Sequence, residues 1–385
     1  MSDFAHEYTD KEIETLEKHI TKAYRRVYKE LSEKATDYFK KFEKRDAEQL
    51  ALLNEGKITE LEYQQWRLAQ MGRGKRFEAM RDDAAERLTK ANQIAASYIK
   101  DEMPDIFAVN LNHMAYGLEK EYGNIGFTIY NEEMAKKLIA DEADFLPAPS
   151  INVPKDLWWN KKLITAEMTS GILQGESTKK LADRFQNVTD ANRVSAIRNA
   201  RTFCTAAENA GRQEGFNKAA AMGIKVKKQW IAVKDNRTRH SHRELDGQTV
   251  DYNKPFVSVL GSKMMYPADK EGAKAGDLYN CRCSMRFIEK EGIVAEPVME
   301  RVQNPKWEKA KAEEDALAAK VEALKRRENA TTDPKKKNKL KKERIAVQKE
   351  LAVATKKRQS IDKNVVVKEM TYKEWEQWKK AQLDD

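Results

Sequence analysis

Apolar residues recur at intervals of three and four along the first hundred positions, which is the period of an amphipathic helix. The first series covers residues 13–42 and follows a capping box at Thr9-Asp-Lys-Glu12. A second box, Thr59-Glu-Leu-Glu62, precedes a shorter apolar series, and the pattern predicts a third helix over residues 77–99. Residues 1–102 are therefore expected to form helices that pack through their apolar stripes.

The helical period weakens between residues 103 and 157, where seven Gly and Pro residues interrupt it. This stretch is interpreted as a connector with one short helix near residues 132–139. Regular helical spacing returns at Trp158. Ser177 is predicted to cap a short helix, and a longer helix rich in small residues is predicted to end at Gly223.

Period-two alternation then replaces the helical period. Residues 226–233 alternate and carry Trp230, and residues 248–252, 256–260 and 283–288 have the composition of short strands. A small unit of mixed helices and strands is therefore predicted after the long helices.

The last quarter of the chain is strongly charged and again helical. Two series of helically spaced apolar residues, over residues 307–329 and 335–351, flank a turn that contains Pro334. This pattern is typical of an antiparallel helical hairpin. A short helix with two tryptophans is predicted over residues 371–378.

The predicted fold class is mostly α with a small α+β unit. Four regions are expected: an elongated helical N-terminal region, 1–102; the connector, 103–157; the mixed unit, 158–290; and a charged helical hairpin with a basic tail, 291–385.

Composition adds a prediction about partners. Lys and Arg number 72 against 62 Asp and Glu, so the net charge is +10 and polyanions are favoured partners. Three cysteines, two of them one residue apart, do not form a disulfide framework, and no signal peptide or membrane-spanning apolar run is visible. The expected compartment is a reducing cytoplasm, with no membrane partner.

Two of the five histidines and two of the three cysteines lie in one segment, as His240-Ser-His242 and Cys281-Arg-Cys283. On strands, residues two apart face the same side. Each pair would then offer two donors, and together they would supply the four ligands of a tetrahedral zinc site. Two alternatives stay open: cysteines buried as small apolar residues beside hydrogen-bonded histidines, or a cysteine nucleophile with His240 as base and Asp235 as its orienting group.

Arginine in the same segment suggests phosphate contact, because the guanidinium fork matches phosphate oxygens. Arg237 and Arg239 are candidates for this phosphate contact. The alternative is that Asp235 pairs with Arg237 or Arg239 and so holds the loop. Arg282 is expected to face away from the two cysteines and to form an ion pair.

A basic run in the hairpin is a second candidate for nucleic-acid contact, with a solubilising helix face as the alternative. Its members are Lys335, Lys336, Lys337, Lys339, Lys341, Lys342 and Arg344.

Several motifs occur in a characteristic order. Gly175-x-Ser177 and Ala200-Arg-Thr202 precede Trp230, Asp235-x-Arg-x-Arg-His240 and Leu245-Asp-Gly247, and Pro267 and Asn280-Cys-Arg-Cys283 follow. Over residues 158–287 this order resembles the Mu F-like minor head proteins of tailed phages. The resemblance implies that His240, Cys281 and Cys283 matter to the domain, without implying a metal, and that His242 is not required.

The resemblance also implies a head morphogenesis protein that is structural and not an enzyme. Its expected partners are the portal protein, other capsid or scaffold proteins and double-stranded DNA bound without sequence specificity, with no small-molecule substrate. Its expected location is the inside of the virion, and the host cytoplasm during assembly.

Two alternative functions remain. The first is a zinc-dependent or Cys-His enzyme, because Mu F-like domains are sometimes joined to toxin or hydrolase domains. The charged helical pattern after Ile288 differs from that of a globular toxin domain. A zinc-stabilised DNA-binding module with a cellular role is the other.

Overall fold

The computed structural model of the chain describes residues 3–141, 146, 149–289 and 301–382. These residues form two compact units. The first takes the described residues within 1–110, 131–217 and 227–288, and the second those within 111–130, 218–226 and 289–385. The boundary expected between residues 290 and 291 lies outside the described residues.

Helices dominate the chain up to residue 221. They are α1 Phe4–Asn54, α2 Glu60–Arg67, a π-helical turn Leu68–Gly72, α3 Lys75–Tyr122, α4 Glu132–Asp141, α5 Val153–Leu173, α6 Thr178–Asp183 and α7 Phe185–Ala221. The first unit has an apolar core between these helices, with Phe39 from α1, Leu88 from α3, Ile164 from α5 and Phe185 from α7 all at most 1% exposed. The apolar stripes predicted from the sequence therefore do pack on one another.

Helix α1 begins earlier than the sequence predicted. Asp3 is its N-cap and accepts a hydrogen bond from the backbone N–H of His6 at 2.9 Å. Thr9 is already inside the helix, where its hydroxyl donates to the carbonyl of Ala5. Asp3 is also held by the buried Arg212, at 2.7 and 2.8 Å, and this tertiary ion pair fixes the start of the helix.

The interruption predicted at residue 103 is wrong, because α3 continues through Pro104 to Tyr122. Proline removes one backbone hydrogen bond from a helix interior. Met103, Ile106 and Phe107 on either side of it are at most 2% exposed, so burial outweighs the local cost. Other predicted boundaries are confirmed: the capping box at Thr59, α4 near residues 132–139, Ser177 as the cap of α6, and Gly223, with φ +85°, after α7.

Short strands and helices complete the first unit. They are β1 Val226–Ile231, α8 His240–Leu245, β2 Thr249–Asp251, β3 Phe256–Val257, β4 Lys263–Met264, α9 Ala275–Leu278 and β5 Ser284–Glu289. One sheet has the order β2-β1-β5, with β1 and β2 antiparallel and Lys228 opposite Val250, and β3 pairs with β4. Trp230 lies on β1, as predicted, and is fully buried.

The second unit contains the predicted hairpin. Its elements are β6 Arg301–Gln303, α10 Pro305–Ala330, α11 Pro334–Gln359, β7 Asn364–Val366, a 3-10 turn Val367–Glu369 and α12 Tyr372–Ala381. Val321 and Leu324 of α10 pack against Leu340 and Val347 of α11, and β6 pairs antiparallel with β7. The chain is thus mostly helical with small sheets.

Helix α12 docks within the second unit through its aromatic side. Trp375 is fully buried, and its indole N–H donates to the carboxylate of Glu119 at 2.6 Å. Lys379 donates to the same carboxylate at 2.8 Å. Among the described helices, none combines the length and apolar character needed to cross a membrane.

Candidate metal centre

The segment that carries Cys281 and Cys283 is fixed to helix α7 by its backbone. The hydroxyl of Thr205 donates to the carbonyl of Cys281 at 2.9 Å, and the amide of Asn209 donates to the carbonyl of Cys283 at 3.0 Å. Thr205 and Asn209 are four residues apart, so they lie on the same face of the helix. The two thiols are therefore positioned by hydrogen bonds that do not involve their sulfur atoms.

His242 lies on α8 and brings its ring to these thiols. Its Nδ1 atom is 3.4 Å from Sγ of Cys283 and 3.7 Å from Sγ of Cys281. The three donor atoms lie within 4.8 Å of one another, and none of the three residues is more than 2% exposed. One nitrogen and two sulfur donors thus converge in a buried position.

His240 does not join this group, and the strand predicted for it is wrong. Residues 240–245 form helix α8, in which residues two apart point about 200° away from each other. The side chain of His240 is 79% exposed and lies 3.8 Å from the carboxylate of Glu244. The structure thus brings together three of the four predicted ligands.

A buried carboxylate faces the other side of the His242 ring. Oδ1 of Asp277 is 3.6 Å from Nε2 of His242. Ser241, Ser258 and Ser262 donate to the two oxygens of Asp277 at 2.6–2.7 Å. Burial by itself raises the pKa of Asp277, but these hydrogen bonds lower it below its usual value, so the group is an anion beside the imidazole.

Aromatic rings cover the same site. The indole of Trp230 meets the ring of His242 edge to face, with centroids 5.5 Å apart, and Phe256 packs on the indole at 5.3 Å.

A hydrogen bond between the thiols raises the pKa of Cys281 and lowers that of Cys283, and His242 lowers the pKa of Cys283 further. The two thiols and the ring of His242 therefore interact directly.

The arginines of the segment have structural contacts. Arg282 forms a two-pronged ion pair with Asp235 at 2.7 and 2.8 Å, which holds the pKa of that carboxyl well below its usual range and confirms the ion pair expected for Arg282. Asp235 also accepts the backbone N–H groups of Arg237 and Thr238, both at 3.0 Å. Arg239 donates to two loop carbonyls, those of Gly276 and Tyr279.

These contacts do not assemble the predicted nucleophile, base and orienting group. Asp235 is bound to Arg282, and His240 is at the surface, so neither adjoins a thiol. Both thiols of the cluster are almost fully buried, which closes them to a substrate. The geometry suits metal coordination or packing better than covalent catalysis.

The basic run lies at the tip of the hairpin. Within residues 325–344, ten basic residues against three acidic ones leave a charge of +7, out of +10 for the chain. Arg344 is bound to Glu328 at 2.7 Å and so differs from the rest of the run. The remaining six members are exposed and form no ion pair with a described residue: Lys335, Lys336, Lys337, Lys339, Lys341 and Lys342.

The residues that support the cluster were not predicted from the sequence. Thr205 and Asn209 carried a signal, because they are polar residues spaced by four on a helix that is otherwise rich in small apolar residues. Asp277 and its three serines carried no such signal in the sequence, because they come together through loops that are distant in sequence.

Comparison with known proteins agrees with the predicted resemblance. Residues 162–286 match the family described as Phage Mu protein F like protein, which confirms the resemblance over this segment. The chain is similar to Minor head protein GP7 of Bacillus phage SPP1, with 24% identity over 286 residues, covering 73% of this chain and 84% of that protein.

A second relative has a different name. NAD(+)--arginine ADP-ribosyltransferase EFV of Enterococcus faecalis (strain ATCC 700802 / V583) is 32% identical over 125 residues, which are 31% of this chain and 24% of that protein. The chain therefore matches about a quarter of the length of that relative. No solved structure matches the chain significantly.

Proposed function

We propose, from the Mu protein F-like segment at residues 162–286, that this chain is a minor head protein of a tailed bacteriophage. The observation that carries the proposal is the similarity to Minor head protein GP7, which extends over 84% of that protein and well beyond the family segment. The protein would act inside the head, in contact with the portal and other capsid or scaffold proteins, during assembly and genome packaging or ejection.

Two measurements test the proposal: whether the chain is present in phage particles, and whether infectious particles form without it. In the phage that encodes it, we expect mass spectrometry of purified particles to detect the chain in few copies. An early stop codon should lower the yield of infectious particles, and a plasmid copy should restore it. Particles that lack the chain, together with normal yield from the stop-codon phage, would contradict the proposal.

Portal contact needs its own measurement. The wild-type chain, co-produced with the portal protein of the same phage, should co-purify with it, whereas an unrelated phage's portal protein should not retain it. Equal retention by both portal proteins would argue against a specific contact.

We further propose that the hairpin tip binds double-stranded DNA without sequence preference. Its six exposed lysines are free of described ion pairs, and phosphate contacts by lysine release counterions. Six such contacts predict that the logarithm of affinity falls with the logarithm of salt concentration with a slope on the order of 5. Fluorescence anisotropy with two unrelated duplexes of equal length measures both the slope and the absence of sequence preference.

The same protein is proposed not to be an enzyme. The relative named as an ADP-ribosyltransferase shares about a quarter of its length with this chain, so the similarity leaves most of that protein unmatched. The two cysteines nearest a histidine are buried. Incubation of the chain with NAD and arginine-containing protein should therefore release no nicotinamide above the rate of a boiled sample.

A further inference from the structure

We propose that His242, Cys281 and Cys283 bind one zinc ion through Nδ1 and the two Sγ atoms. The site goes beyond the proposed function, because it follows from side-chain geometry and stands whether or not the chain acts in a phage head. It also differs from the four-ligand site predicted from the sequence, since His240 is excluded.

The spacing of the donor atoms fits one tetrahedral ion. Zinc lies about 2.3 Å from a thiolate sulfur and about 2.0–2.1 Å from an imidazole nitrogen, so a sulfur and a nitrogen on the same ion are about 3.6 Å apart. The observed separations from Nδ1 are 3.4 Å to Cys283 and 3.7 Å to Cys281. The ligands would need only small side-chain adjustments to hold the ion.

The type of donor favours zinc over the hard cations. Two thiolates and an imidazole select zinc or another borderline or soft metal, whereas magnesium and calcium take oxygen ligands. Within the described residues the cluster has three such ligands. The fourth position would belong to a water molecule, as in other zinc sites with three protein ligands.

The groups around the cluster would orient its histidine. Metal-bound histidines commonly donate their second ring N–H to a carboxylate, which fixes the tautomer and the ring plane. Nε2 of His242 is buried with no hydrogen-bond partner within normal distance, while Oδ1 of Asp277 lies 3.6 Å away. Coordination at Nδ1 would place the proton on Nε2, where it faces this anion.

The backbone around the thiols would be in place before the metal arrives. The carbonyls of Cys281 and Cys283 are bound by α7, and the N–H of Asn280 donates to the hydroxyl of Thr202 at 3.1 Å. The metal would then tie α8 to this segment, joining two short elements that have little apolar core of their own.

The first test is the metal content of the full chain, produced without an affinity tag and without added zinc. We expect about one zinc per chain by mass spectrometry. Cys281→Ser, Cys283→Ser and His242→Ala should each lower the zinc content at least tenfold. Cys204→Ala is the matched control, because Cys204 is also buried but lies outside the cluster, and this variant should keep its zinc.

A second test uses the wild-type chain alone, so that unfolding of a variant does not decide the outcome. After removal of zinc, Co²⁺ should give the absorption of a tetrahedral ion with thiolate ligands, and zinc should displace it. A folded wild type that carries no metal and takes up neither ion would overturn the proposal, as would a mass lower by two hydrogens that revealed a Cys281–Cys283 disulfide. Loss of zinc from folded Cys204→Ala, with retention in folded His242→Ala, would overturn it equally.

Discussion

Two regions of this protein use polar residues in opposite ways. Around Cys281 and Cys283 the polar groups are buried, and one carboxylate, Asp277, accepts hydrogen bonds from three serines. At the hairpin tip, residues 325–344 carry a net charge of +7 on side chains that mostly face solvent. The first region depends on positions to within a few tenths of an ångström, and the second depends on the sum of its charges.

This difference predicts how each region responds to substitution. When a buried polar group loses its hydrogen-bond partner, it stays without water and without a partner, and this lowers the stability of the fold. The loss of one atom can therefore have a large effect. Exposed charges act at a distance and are screened by salt, so one of several lysines can be replaced with a small effect.

Asp277→Asn should give the largest loss of stability. The amide offers one acceptor oxygen and an NH2 group in place of the two oxygens that receive three serine hydroxyls. Hydrogen bonds to a charged group contribute about 1.5–3 kcal/mol each, so we expect the free energy of unfolding to fall by about 3–5 kcal/mol. Urea unfolding followed by circular dichroism measures the change.

Asp37→Asn is the matched control, because Asp37 is exposed on α1. It should change the free energy of unfolding by less than about 0.5 kcal/mol. Equal stability of the two variants would show that the buried carboxylate has no special role.

His6→Gln should give a loss that depends on pH. Nδ1 of His6 lies 2.9 Å from the buried carboxylate of Glu208. Burial by itself lowers the pKa of His6, but the attraction of Glu208 and its hydrogen bond raise it by more, from 6.5 to about 9. Since the folded state holds the proton more tightly, the stabilisation is complete below pH 6.5 and is lost as the pH rises through about 9.

The measurement is the difference in unfolding free energy between wild type and His6→Gln from pH 6 to pH 10. We expect at most about 3 kcal/mol at the acid end and a steady decline toward the alkaline end. His19→Gln, at an exposed position on the same helix, should change the free energy of unfolding by less than about 0.5 kcal/mol. A difference that grows with pH would contradict the assigned ion pair.

Replacing Lys335, Lys336 and Lys337 together by Gln should weaken DNA binding without weakening the fold. Three lost phosphate contacts predict weaker binding and a salt slope smaller by about 2.7. Lys309, Lys349 and Lys356, also exposed on α10 and α11 but away from the tip, provide a triple-Gln control with the same change of charge. Equal weakening by both triple variants would show that net charge, and not the tip, determines binding.

How much the sequence could predict differs between the two regions for the same reason. The hairpin and its basic run are local patterns, and they were predicted with their approximate bounds. The long helices were also predicted, but the start of α1 depends on the contact of Asp3 with Arg212, 209 positions away, and the continuation of α3 past Pro104 depends on tertiary burial.

At the cluster, the unusual concentration of His and Cys located the site, yet it did not identify the ligands. That choice depended on whether residues 240–245 form a strand or a helix, and the segment has one apolar residue, Leu245, to show a period. Asp277 became visible only when distant segments met. The concentration of His and Cys residues thus showed where the site lies in the sequence. The positions of their side chains depend on the fold.

His240→Ala should have the smallest effect, and it isolates the error in the sequence-based prediction. His240 and His242 are two residues apart on the same short helix, but one is 79% exposed and the other 2%. We expect His240→Ala to keep its metal and to change the free energy of unfolding by less than about 0.5 kcal/mol, whereas His242→Ala loses both metal and stability. If the two variants lost zinc equally, residues 240–242 would have to be extended in the metal-bound protein, and α8 would not be the structure that holds the ion.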